Sequence, residues 1–166
     1  LTDATFAYSD PFCQGGVNPT PTGPGVGGGT FSAIPAGLVF ADANLGTINL
    51  TTTIPGTYTV TNLIPASGGC AAASANQIIT VNTAATVSAG GGTVICAGNS
   101  YILSGSVGGS ATGGTWTNVG GDGTFSPNAT TLAATYTPGS GDISMGSVTL
   151  TLTTDNPAGP CPAVSD

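Results

Sequence analysis

"PGTYTVTN", Pro55 to Asn62, is the stretch on which the fold turns. Behind a Pro-Gly turn, threonine alternates with Tyr58 and Val60, the period of two expected of a strand with one buried face. Tyr58 and Val60 are expected to face inward, with Thr57, Thr59 and Thr61 toward solvent. "SVTLTLTT", Ser147 to Thr154, repeats the device, with Val148, Leu150 and Leu152 inward and Thr149, Thr151 and Thr153 outward. The surroundings of the two strands also correspond. "GGTF" ending at Phe31 precedes the first and "GGTW" ending at Trp116 the second. A Pro/Gly turn and a cysteine follow each, in "IPASGGC" to Cys70 and "NPAGPC" to Cys161. Further upstream, "ATFAYSDPFCQGG" (Ala4 to Gly16) matches "ATVSAGGGTVICAGN" (Ala85 to Asn99): a short apolar strand, a turn, then Cys. The chain therefore reads as two related halves, 1–83 and 84–166, joined by a very short linker at Asn82 to Ala84.

Composition agrees with strands throughout. Of 166 residues 39% are hydrophobic and the mean hydropathy is +0.31, so there is material for packed cores. The 28 Gly and 12 Pro interrupt the chain too often for long helices, and the Thr-rich remainder suits strands. The expected class is all-β.

Charge removes whole classes of function. The chain has no Lys, Arg or His, and all seven acidic residues are aspartate, giving a net charge of −7. Phosphate backbones are bound through Lys and Arg, so nucleic acid is excluded as a partner, and anionic membrane surfaces are disfavoured for the same reason. No apolar run reaches the length of a membrane span, so no membrane insertion is expected, and no signal peptide is recognisable. Leu1 rather than Met opens the chain, which reads as a piece of something longer.

Four cysteines allow three pairings. The internal repeat selects one bridge per half, Cys13 with Cys70 and Cys96 with Cys161. Each would close a loop of about sixty residues and contribute about 4 kcal/mol in the chain-entropy model. Zinc is disfavoured because no C-x2-C pair is present. Bridges imply an oxidising, extracellular setting. Short strands, a tie spanning most of each half, and one aromatic beside it (Phe31, Trp116) lead to two tandem immunoglobulin-like β-sandwiches.

No catalytic constellation can be assembled, since a Ser or Cys nucleophile would lack a His or Lys base; no enzyme is expected. The aspartates stand in turn contexts such as "SDP", "GDG" and "TDNP". Calcium, which takes carboxylate and carbonyl oxygens, would fit best at Asp122 and at the Asp155–Asn156 pair, although no EF-hand loop is present. "PTPTGPGVGGG" (Pro19 to Gly29) lacks the Lys of a phosphate loop and reads as a surface loop. The Thr faces invite a glycan- or ice-binding reading, and strand propensity with solubility is the plainer account of them. Glycosylation sequons stand at Asn49 and Asn128.

"GGTFSAIPAGLVFADANLGTINLTTTIPGTYTVTN" resembles repeats of very long surface proteins of Bacteroidota, including gliding-motility adhesins and substrates of type IX secretion. From "LSGSVGGSATGGTW" to "CPAVSD", the second half is similar to the companion PKD-like repeat of the same proteins. The resemblance implies a secreted cell-surface stalk: tandem repeats forming an extended filament that presents an adhesive tip, with neighbouring repeats or filament subunits as partners. A carbohydrate- or ice-binding module and an enzyme accessory domain are the alternatives.

The second half ends unlike the first. Cys70 is followed by a closing strand, Gln77 to Asn82, whereas only "PAVSD" follows Cys161. The second domain is therefore expected to lack its final strand and to leave an open edge near Val148 to Leu152. Either following residues or a neighbouring subunit's strand, by donor-strand exchange, would complete it.

Overall fold

The computed structural model describes residues 3–157 and 159–166. The chain is mostly strand with one short helix among the described residues, an all-β protein. It divides into two compact units. Unit 1 holds the described residues up to Ala84 together with Gly159–Cys161, and unit 2 holds those from Ala85 to Pro157 together with Pro162–Asp166.

Unit 1 contains β1 (Phe12–Cys13), β2 (Thr30–Ile34), β3 (Phe40–Asp42), β4 (Thr47–Ile48), β5 (Gly56–Ile64) and β6 (Ala73–Asn82). A four-stranded sheet runs β1-β6-β5-β2, and β3 pairs with β4. The β5–β6 hairpin is its spine, antiparallel from Gly56↔Val81 to Ile64↔Ala73. β2 covers the other edge of β5, from Ile34↔Thr59 to Thr30↔Leu63. Strand alternation sends Tyr58 and Val60 into the core, where they meet Tyr8, Phe31, Ile48, Leu50, Ile79 and Val81. Phe6 packs edge-on against Phe31 with ring centroids 5.0 Å apart. Gly46 sits at φ 72°, and a Cβ there would lie 2.9 Å from the Phe31 ring, so this turn requires glycine.

Unit 2 contains β7 (Thr86–Ser88), β8 (Tyr101–Ile102), β9 (Ser106–Gly108), β10 (Gly114–Val119), β11 (Thr124–Ser126), β12 (Thr135–Thr137), α1 (Ser140–Met145) and β13 (Thr149–Thr154). β10 pairs with β13, β11-β12-β8 form a second sheet, and β7 pairs with β9. Leu103, Trp116, Ala134, Tyr136 and Leu152 form the core, with Val148 and Leu150 packed at its margin. The indole N–H of Trp116 donates to the Leu132 carbonyl at 3.1 Å, which satisfies the polar atom of a side chain only 2% exposed.

The disulfide pairing differs from the repeat-based expectation. Cys13 is bonded to Cys161, while Cys70 and Cys96 are free and exposed. Strand geometry accounts for the first correction. Cys13 pairs with Asn82 at the far end of β6, whereas Cys70 lies in the turn before Ala73 at its beginning. Ten residues of strand separate the two ends by about 30 Å, far beyond the Cα spacing a disulfide tolerates. The second follows from the packing of Gly159–Cys161 with unit 1, where the Cys161 sulfur lies 3.4 Å from the Thr83 carbonyl. Cys96 belongs to unit 2 and is out of that cluster.

The end of unit 2 differs as well. Instead of an edge left wholly open, Val164–Asp166 turns back antiparallel to β13. Leu152 N–H donates to Asp166 O at 2.9 Å, Asp166 N–H to Leu152 O at 3.0 Å, and Thr154 N–H to Val164 O at 2.9 Å. Leu152 is fully buried. The closing segment is short, three residues against the ten of β6.

Candidate functional site

A cluster of polar side chains surrounds the first turn of α1 in unit 2. Asp122, in the loop between β10 and β11, points both carboxylate oxygens at that turn and accepts the N–H groups of Gly141 (2.9 Å) and Asp142 (3.1 Å). These are N–H groups that a helix leaves without internal partners. Asp142 in turn accepts the Tyr136 hydroxyl at 2.5 Å, Gly139 N–H at 3.1 Å and Asp122 N–H at 3.2 Å. It is 3% exposed yet fully satisfied.

The electrostatics follow from these bonds. The Tyr136 hydroxyl is the main cause holding the Asp142 carboxyl below its ordinary value, with backbone N–H donors adding to it. Backbone donors Gly141 and Asp142 lower Asp122 in the same way. Burial, then the hydrogen bond to Asp142, pushes the Tyr136 phenol upward. A general acid at neutral pH needs a carboxyl shifted upward, so both aspartates are moved in the wrong direction for proton donation.

The same use of carboxylates recurs in all seven aspartates. Asp3 accepts from Thr5 N–H, Asp10 from Thr80 N–H, and Asp42 from Asn44 and Leu45 N–H. Asp155 accepts from the N–H and hydroxyl of Thr112, and Asp166 from Ala89 N–H. The Thr112 hydroxyl is the leading cause lowering Asp155. In a chain without cationic side chains, hydroxyls and backbone amides are the donors left to a carboxylate.

The calcium candidates are not gathered into a site. Asp122 serves the helix turn, Asp155 serves the Thr112 turn, and Asn156 is exposed. Among the described residues no three His, Cys, Asp or Glu side chains converge. Phe31 and Trp116 are 3% and 2% exposed, which leaves neither ring a face for a sugar.

The feature that sequence reasoning missed is an apolar groove of about 460 Å³ in unit 2. Tyr101, Leu103, Trp116, Ile143, Val148 and Leu150 line it, with the segment 89–97 forming one wall. That wall includes Thr93, Val94 and Ile95, β-branched residues that lie outside any strand, with Val94 97% exposed. Comparison of the chain with models of known protein families, with curated proteins and with solved structures finds no match.

Proposed function

We propose that the chain is a non-enzymatic, load-bearing segment of an extracellular surface protein, built from two immunoglobulin-like repeats. The observation that carries this reading is the Cys13–Cys161 bridge, whose partners are 148 residues apart in sequence. Force entering before Cys13 and leaving after Cys161 passes through the covalent bond and bypasses the residues between them. Under tension the two units therefore stay folded, because the load passes them by. The bridge also favours an oxidising, extracellular location. The use of every aspartate as an internal acceptor agrees with a role that needs no exposed reactive group. The "GTFS", "PAGL" and "PGTYTV" phrases, similar to those of Bacteroidota surface repeats, point the same way. Neighbouring repeats of the same protein are the partners this role implies.

Single-molecule pulling from the two ends tests it. At about 3.4 Å per residue, the segment between the cysteines stores about 500 Å of contour length. The oxidised protein should hold that length back, and added reductant should release it. Release of the full length from the oxidised protein would refute the load-bearing reading.

A further inference from the structure

The chain carries two Asn-x-Thr sequences, Asn49-Leu50-Thr51 and Asn128-Ala129-Thr130, and the fold holds them differently. Each asparagine closes a turn with its side-chain oxygen. Asn49 Oδ1 accepts the N–H groups of Thr51 (3.1 Å) and Thr52 (3.3 Å). Asn128 Oδ1 accepts Thr130 N–H (3.0 Å) and the hydroxyls of Thr130 (2.8 Å) and Thr131 (3.1 Å). Among the described residues those bonds leave the Asn128 Nδ2 without a partner. The middle residue separates the two sites. Leu50 is 2% exposed in the core of unit 1, and its N–H donates to Asn18 Oδ1 at 2.9 Å. Asn49 is itself half-buried, with its N–H bonded to Val39 O at 2.8 Å. Ala129 is small and half-buried, and its carbonyl accepts Trp116 N–H at 2.8 Å. On either side of it, Ser126, Pro127, Asn128 and Thr130 are exposed in the turn from β11 toward β12.

We propose that Asn128 is a site of covalent glycan attachment and that Asn49, in the folded protein, is not. The substrate is a sugar activated as a diphosphate ester, carried on a nucleoside or on a lipid and delivered by a glycosyltransferase. A bond forms between Asn128 Nδ2 and the anomeric carbon, and the bond from that carbon to the diphosphate oxygen breaks. The diphosphate leaves with the electron pair, and one amide proton passes to a base of the transferase. The acceptor is read as asparagine with a hydroxyl two residues on, so the enzyme has to engage all three residues together. At Asn128 that means loosening a surface turn and the one bond between Trp116 N–H and Ala129 O. At Asn49 it means drawing Leu50 out of the core of unit 1. The product is a bulky hydrophilic group standing on the turn between β11 and β12. Attachment presupposes the surface-protein reading, which brings the chain to such transferases.

The intact oxidised protein is incubated in two arms. One holds a soluble N-glycosyltransferase with a uridine diphosphate hexose, the other an oligosaccharyltransferase with a lipid diphosphate oligosaccharide. Products are mapped by mass, and the arm that loads the protein names the donor. Occupancy at Asn128 should exceed that at Asn49 about tenfold or more, the factor set by exposing a buried leucine. Asn128→Gln and Thr130→Val should each remove the mass gain, and Asn49→Gln should leave it unchanged. Synthetic peptides of residues 46–54 and 125–133 should be modified to similar extents, because neither is folded. Modified peptides with an unmodified Asn128 in the folded chain would overturn the proposal. Equal occupancy of Asn49 and Asn128 in the folded chain would do so as well, as would no transfer to protein or peptides in either arm. Pulling on the unglycosylated protein judges the load-bearing reading separately.

Discussion

Asn62 offers a sharp test of how unit 1 is held together. It occupies an inward position on β5, two residues beyond Val60, and is fully buried. Its side-chain N–H2 donates to Ala4 O at 3.1 Å and to Gly25 O at 2.8 Å. One amide thus fastens both the N-terminal segment and the glycine-rich loop to the sheet. Asn62→Ala strands the Ala4 carbonyl, a loss of about 1–3 kcal/mol. The Gly25 carbonyl keeps a long bond from Gly28 N–H at 3.4 Å, so its share falls at the low end of that range. Against this, the Asn62 side-chain oxygen has no partner, and deleting it removes a standing penalty of about 1 kcal/mol. The net expectation is about 1–3 kcal/mol, or about 4–24 °C in Tm for a unit of this size. Asn62→Asp should cost more despite its matching shape. It turns an oxygen toward two carbonyl oxygens and buries a charge with no cation available. Urea denaturation of the three proteins decides it. A cost below about 1 kcal/mol for Asn62→Ala, or an Asp variant more stable than the Ala variant, would refute the reasoning.

Reducing the Cys13–Cys161 bridge should lower stability by about 5 kcal/mol in the chain-entropy model, read as a fall in denaturation midpoint with reductant. Stability should be flat from about pH 5 to pH 9, because no histidine is present. Asp142, Asp122, Asp155 and Asp3 are lowered, so their contribution is complete above the unfolded value and is lost as pH falls through the folded ones. Tyr136 and Tyr8 are raised, so theirs is complete below about pH 10 and is lost as pH rises through the folded values. A transition near pH 6.5 in denaturant titrations would contradict this (about the unperturbed histidine value). Trp116→Ala should cost about 3–5 kcal/mol, with Trp116→Phe milder, measured by thermal unfolding. Added NaCl should raise stability slightly in the same assay, since aspartate repulsion is screened and no side-chain ion pair exists to lose.

Periodicity made the inward faces of the long strands legible. Tyr58 and Val60 are buried on β5 and Leu152 on β13, each predictable from alternation with threonine. What periodicity could not reach was β6. Its first half, Ala73 to Asn76, has no β-branched residue, and it is a strand because β5 pairs with it from Asn62↔Ala75 outward. The disulfide pairing was read from the internal repeat, and the repeat does not register that a full-length β6 carries Cys70 to the opposite end of the sheet from Cys13. The Asp122–Asp142–Tyr136 cluster was hidden for a different reason: its members are joined through α1, a helix whose Ser-Gly-Asp start carries little helix signal of its own. The turn-and-cap reading of aspartate was nonetheless within reach of the sequence, since Asp suits those positions by its chemistry.

The two units flank their long alternating strands differently. In unit 1 the central strand β5 is paired with β6 along its whole length and with β2 from Thr59 to Leu63. In unit 2 the strand β13 is paired fully with β10 on one side and, among the described residues, with Val164–Asp166 at Leu152 and Thr154 on the other. An unpaired rung beside apolar surface is an aggregation hazard unless something covers it. Proteins protect such edges with charge, above all with lysine, and this chain has none to place there. The nearby carboxylates offer no substitute, because Asp122, Asp142 and Asp155 are already committed to backbone donors.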